Sequence, residues 1–278
     1  MKKTLILCST FVLLQIVMGL VATILTSVIT GETNSIVISS LPTYNYLTGA
    51  ALILCDVIMV LLVGYLLTNH CLNAFTGRIR NVAHNVWLWS IIGLFLLIFV
   101  INGFIELVHL PNWLETKIDG LISNPLCLFG IVLIGPIAEE VVFRRGIIDA
   151  LSSSPCFARW SVVISSFLFG LVHFNPIQVV AAFFLGLFLG WTYIAGNRNL
   201  LIPIVFHIIN NTSSVIMYHT LGKDTKFTDL FPSTTIEIVS LVILLFLFYL
   251  TFLKLRKIFK SQCHFPPSGH DDTELLPN

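Results

Sequence analysis

Charge is what this chain lacks most. Only 10% of its 278 residues are Asp, Glu, Lys or Arg, against about 25% in a soluble globular protein. A formal net charge of +1 leaves no basic surplus for a nucleic-acid partner, so none is expected. The six cysteines, Cys8, Cys55, Cys71, Cys127, Cys156 and Cys263, form no C-x-x-C pair and no metal-type spacing. That argues against a cysteine zinc site and leaves them as small packing residues. There is no internal repeat, no low-complexity segment and no H-E-x-x-H. The chain closes on Glu274-Leu-Leu-Pro-Asn278 without a terminal cysteine box, so it is not expected to be a prenylation substrate itself.

What the chain has instead is apolar runs. Hydrophobic residues make up 56%, and a span needs about 20 mostly apolar residues. Eight candidates occur, near 4–30, 46–68, 85–108, 125–151, 159–174, 177–195, 199–219 and 235–253. The fifth is short, and Pro176 is placed to break the chain after it. The first run is longer than the 7–15-residue core of a signal peptide, so it reads as a retained span. The fold expected is an all-α polytopic membrane bundle of about eight transmembrane helices, with the lipid bilayer as its partner. Its segments are 1–124 with three helices, a core at 125–217, a last helix at 235–253 and a polar tail at 254–278. The tail is expected to be disordered beyond its first basic turn.

Lysine and arginine positions orient the bundle. With the N-terminus inside, twelve of the fifteen lie inside. Lys117, Lys223 and Lys226 lie outside. Both termini are therefore expected in the cytoplasm, and Lys2-Lys3 with compact loops suggests a bacterial plasma membrane. Asp56 stands alone in span two with no partner to be named, and reads as a structural acid. Glu106 and His109 read as interfacial. The loop 111–119 reads as a surface segment anchored by Trp113. His219, Asn210 and Gln178 read as interfacial or packing residues, and Gly186 and Gly190 as points of close helix contact.

Against this background Gly135-Pro-Ile-Ala-Glu-Glu-Val-Val-Phe-Arg-Arg-Gly146 is costly. Each ionisable side chain in a bilayer costs roughly 2.5–3.5 kcal/mol on insertion scales, and four fall within seven residues. Helix residues four apart share a face. Glu140 and Arg144 are therefore stacked neighbours that neutralise each other, and Glu139 is the free carboxylate. A carboxylate held away from water suits general acid–base work. Phe169 and His173 are also four apart, as are His207 and Asn211. At 1.5 Å per residue, Glu139 lies roughly 18 Å from Leu151, His173 roughly 21 Å from Arg159, and His207 and Asn211 roughly 12 and 18 Å from Asn199. All fall near mid-membrane, where they could share one site. Imidazoles and a carboxylate are ligand types that zinc accepts, and equally what is needed to hold and polarise a water without metal.

The ordered set Glu139-Glu140-x-x-x-Arg144, Phe169-x-x-x-His173 and His207-x-x-x-Asn211 resembles the CPBP family of intramembrane proteases. This family includes the type II CAAX prenyl endopeptidases, the abortive-infection membrane proteins and bacteriocin-immunity proteins. The resemblance covers roughly 125–215. It implies an intramembrane endopeptidase with a polar cavity open toward the cytoplasm. It assigns Glu139 and His173 to water activation and His207 and Asn211 to an oxyanion hole, with Glu140, Arg144 and Phe169 in support. If a metal such as zinc is bound, Glu139, His173 and His207 are its ligands. The substrate implied is a peptide or membrane protein, with or without a lipid modification. A non-catalytic immunity or binding protein, and a proton-coupled transporter, are the readings from other classes. The transporter would call for internal repeat symmetry, which the sequence does not show.

Overall fold

The computed structural model describes residues 2–70, 74–75, 78–113, 115–222 and 227–262. These form helices without a strand among the described residues. Helix α1 (Lys2–Thr30), a short α2 (Ser35–Ser40), α3 (Pro42–Thr68) and α4 (His84–Val108) build the first half. A short α5 (Glu115–Ser123) leads into the long span α6 (Pro125–Ser152). Then come α7 (Ser161–Leu171), α8 (Pro176–Ala195), α9 (Leu201–Leu221) and α10 (Thr234–Gln262).

Seven of these helices are long and apolar enough to cross a membrane. The protein is an integral multi-pass membrane protein. The fifth expected span differs. Its apolar helix runs only over Ala158–Leu171, because the chain turns at His173–Asn175 and Phe174 takes a left-handed backbone at φ 50°. Pro176 then starts α8 at its first turn, where its missing N–H costs nothing. The tail also differs from expectation. Helix α10 continues through Lys254, Arg256, Lys257 and Lys260 to Gln262, and 263–278 lies outside the described residues.

Three long pairings organise the bundle: α1 with α3, α4 with α10, and α7 with α8. The last rests on glycines. A Cβ at Gly186 would lie 3.1 Å from both Phe169 and Ser166, and one at Gly190 would lie 2.9 Å from Val162. Without side chains at these positions, α7 lies against α8 and presents Phe169 to the core.

The basic residues gather at one end. Lys3 Nζ donates to the Leu66 carbonyl, and Lys254 lies 3.8 Å from the Trp89 ring centroid. Asp149 takes Arg78, Arg198 and the Tyr193 hydroxyl together. Asn199 donates to the Arg80 carbonyl at 2.8 Å. At the opposite end, Glu106 accepts the Thr228 N–H and Tyr218 bonds Asp119. There Trp113 is exposed, and its backbone N–H donates to Asn175 Oδ1.

Candidate active site

The span that carries the charged cluster is not a uniform α-helix. Gly130–Ile134 and Val141–Ile148 are wound as π-helix on either side of the α-helical Gly135–Glu140. Such widened turns are rare and concentrate at functional sites. Pro136 explains what the first one leaves open. The Gly135 N–H is taken by the Gly130 carbonyl, and Pro136 has no N–H to offer the Ile131 carbonyl. Asn211 fills that gap from α9, donating Nδ2 to the Ile131 oxygen at 2.9 Å. Asn210 Nδ2 donates to Asn211 Oδ1 at 3.0 Å, which fixes which way the amide faces. An amide NH2 has two protons, so one remains for the cavity that Asn211 lines. In the second π-helix the Phe143 carbonyl accepts from Ser165 at 2.8 Å.

Glu140 and Arg144 form the expected pair, with Nε to Oε2 at 2.7 Å and both side chains fully buried. The pair is larger than the sequence implied. His207 Nδ1 lies 3.0 Å from Glu140 Oε1, and its Nε2 lies 3.5 Å from Glu139 Oε2. A carboxylate paired with arginine only accepts hydrogen bonds, so the Nδ1 proton is on His207. Nε2 is then a lone pair in the neutral ring and a donor only in the imidazolium. The structure thus sets His207 against both carboxylates of the pair.

His173 is held differently. Its Nδ1 donates to the Phe169 carbonyl at 2.8 Å, within its own helix and turn, which leaves Nε2 unprotonated in the neutral ring. Phe169 ties the groups together. Its ring stands edge-on to His173 at 5.2 Å and to His207 at 5.6 Å, and Arg144 lies over it at 5.2 Å.

These side chains meet around one cavity of about 360 Å3, which Glu139, Phe169, His173, His207 and Asn211 all line. Glu139 is partly exposed to it, while Glu140 and Arg144 are sealed behind. Asp56, Asn210 and Gln178, which read as structural or packing residues in the sequence, also line it. Asp56 was legible in principle. The depth count applied to Glu139 puts it roughly 18 Å from Thr68 at the inner end of α3. Its carboxylate faces Gly135, where an added Cβ would come 3.7 Å from Oδ2. Gly135 is one helical turn from Glu139 on the same face.

The zinc ligand set meets an obstacle. Among the described residues no three His, Cys, Asp or Glu side chains gather closely enough to hold a metal ion. Glu139, His173 and His207 share the cavity but do not converge on one point. Cys8, Cys55, Cys127 and Cys156 are free thiols. Cys71 and Cys263 lie outside the described residues.

Known proteins are similar over this part of the chain. Residues 121–213 match the family model of the Rce1-like type II CAAX prenyl endopeptidases. Over that stretch the chain is similar to this family. A Bacillus subtilis (strain 168) protein named "Putative membrane peptidase YdiL" is 31% identical over 137 residues, covering 47% of this chain and 55% of the relative. The chain thus spans about half the length of the curated relative it matches. No solved structure matches it. The matched stretch supplies most of the cavity wall, from Gly130 to Asn211, while α1, α3 and α4 outside it add Gln15, Asp56 and Asn102 among others.

Proposed function

We propose that the protein is an intramembrane endopeptidase that hydrolyses a peptide bond with a water activated by Glu139. The observation that carries this reading is the unequal state of the two adjacent carboxylates. Glu140 is neutralised by Arg144 out of reach of the cavity, while Glu139 reaches it. The family match and the named membrane peptidase support the coarser reading, a membrane protease.

In the mechanism, a water sits between Glu139 and His173 Nε2. Glu139 takes one of its protons as the oxygen attacks the scissile carbonyl carbon. The carbonyl π electrons move to oxygen, giving a tetrahedral oxyanion. The free Asn211 N–H and the His207 imidazolium donate to that oxyanion, each such donor being worth about 10²–10³ in rate. The intermediate collapses, the C–N bond breaks, and Glu139 returns its proton to the leaving amine. Charge balance favours this protonation pattern. Arg144 cancels Glu140, and the imidazolium cancels Glu139, so the four groups enter a low-dielectric site with no net charge.

A second, apolar cavity of about 630 Å3 is lined by Val172, the neighbour of His173 in the chain. Cys8, Val12, Leu168 and Val179 line it, and it suits an alkyl chain carried by a lipid-modified substrate.

The test presupposes no substrate. New protein termini are compared in membranes of cells carrying wild type or Glu139→Gln at equal abundance. Termini found only with wild type support the peptidase and name its substrates. Identical termini, with the variant folded, move the assignment to a binding or immunity protein.

A further inference from the structure

Two connections at one end of the bundle are laced together. The Leu200 N–H donates to the Arg78 carbonyl at 2.6 Å. Asn199 brackets Arg80: its Oδ1 accepts the Arg80 N–H at 3.3 Å, and its Nδ2 donates to the Arg80 carbonyl at 2.8 Å. Asn199 is buried, so the two segments keep a fixed register. Arg80 Nη2 donates to the Asn197 carbonyl. Asn197 and Arg198 both take a left-handed backbone, at φ 54° and 60°. That conformation is uncommon outside glycine, though asparagine is enriched in it. Strained positions of this kind gather at ligand clamps among other sites. Here the turn brings Arg198 back onto Asp149 of α6.

The lacing gathers more positive charge than it cancels. Arg78, Arg80 and Arg198 meet at this junction, and Asp149 is the carboxylate that pairs with two of them. Both of its oxygens are in use, Oδ2 by Arg78 and Oδ1 by Arg198 and the Tyr193 hydroxyl. Arg145 lies one turn before Asp149 on the same face of α6, and its charge acts on Arg78 and Asp149. A guanidinium carries five N–H donors. The bonds to Asp149 and to the Asn197 carbonyl engage one nitrogen of each of the three junction arginines. Arg78 Nε is buried without an acceptor, so the hydrogen bonding of the cluster is incomplete as it stands. The side chains of Arg78 and Arg198 stay 27% and 33% exposed, and Arg80 is exposed. The surplus charge is therefore presented at the surface.

The junction sits at the boundary of the apolar layer. Arg80 comes four residues before α4 begins at His84, and Arg198 three after α8 ends at Ala195. Helix α10 passes close by, since a Cβ at Gly196 would come 3.6 Å from Phe259. Its exposed Arg256 and Lys257 extend the positive field.

We propose that Arg78, Arg80 and Arg198 form a binding site for a phosphate group, and that its occupant is the headgroup of an anionic phospholipid. Guanidinium forks match phosphate oxygens in pairs, and basic pockets between membrane helices hold anionic headgroups. A soluble phosphate compound offers the same chemistry, but the lipid adds an apolar tail beside the spans that end here. No residue of the catalytic cavity takes part, so this site does not depend on the endopeptidase reading.

The full chain is purified in a neutral detergent and titrated with phosphatidylglycerol, phosphatidylcholine and inorganic phosphate. Bound lipid is counted by native mass spectrometry, and affinity is read from the shift in thermal midpoint. The expected result is one phosphatidylglycerol retained per chain, little phosphatidylcholine, and no shift with inorganic phosphate at equal concentration. Arg80→Gln leaves both Asp149 pairs in place and is expected to weaken phosphatidylglycerol binding about tenfold, the worth of one charge-assisted hydrogen bond. Arg198→Gln combined with Asp149→Asn removes a cation together with its carboxylate, and is expected to weaken binding as well. Lys257→Gln removes an equal charge from α10 at the same end and is expected to cost far less. A loss with Lys257→Gln as large as with Arg80→Gln overturns the site, as does an affinity that neither arginine variant alters. Equal retention of phosphatidylcholine overturns the anionic headgroup. Arginine-dependent binding of inorganic phosphate as tight as that of phosphatidylglycerol supports the phosphate site and overturns the lipid as its occupant.

Discussion

His207 Nδ1 lies 3.0 Å from Glu140 Oε1, while Arg144 Nε takes the other oxygen of that carboxylate at 2.7 Å. Glu140 therefore does more than brace its own helix. It links α6 to α9 and fixes which ring nitrogen of His207 carries the proton. Removing Arg144 leaves a carboxylate that is 0% exposed without its counter-charge. Arg144→Met is expected to destabilise the fold by about 3–5 kcal/mol. Glu140→Gln combined with Arg144→Met recovers part of that loss, because no uncompensated charge remains. Equilibrium unfolding in mixed micelles reads both, and equal stability of the single and double variants would contradict the pairing.

The two histidines are held by different partners and separate in a matched experiment. His207→Ala removes a partner from buried Glu140 and is expected to lower both stability and turnover. Among the described residues His173 bonds only the carbonyl of Phe169, four residues earlier. His173→Ala is expected to leave the thermal midpoint near wild type while cleavage falls about 10²–10⁴-fold, the usual share of a positioned acid–base group. A loss of stability as large as that of His207→Ala would reassign His173 to the framework.

Asn211 serves the fold and the cavity at once. Asn211→Ala leaves the Ile131 carbonyl without its donor, since Pro136 cannot supply one. The expected cost is about 1–3 kcal/mol, together with the loss of one oxyanion donor. Asn210→Ala removes only the bond that orients the amide, so its effect on turnover is smaller and its effect on stability slight. Thermal melts and initial rates on one substrate distinguish the pair.

Asp56 makes no hydrogen bond or ion pair among the described residues, although it is only 7% exposed. An unpaired buried carboxylate costs stability, so Asp56→Asn is expected to leave the thermal midpoint unchanged or raise it. Turnover is expected to fall about 10²-fold, the lower end of what a positioned acid–base group contributes. Unaltered turnover would return Asp56 to the structural role that its isolation in the sequence implied.

Apolar run length and the spacing of the charged groups are properties of the chain alone, and they determined the helical membrane fold, the Glu140–Arg144 pair and the identity of the cavity residues at 139, 169, 173, 207 and 211. A helix needs only its own residues to place i and i+4 on one face, and a bilayer needs only length and polarity to accept a span. The tertiary structure decided the rest, because contacts between helices depend on their rotation and depth, which no single segment encodes. It brought His207 to both glutamates, brought Asp56 from α3 to the cavity wall, and stopped the fifth apolar run short at Leu171. It also set α3, α4, α7, α8 and α9 around α6, and so decided which of their polar side chains share one cavity.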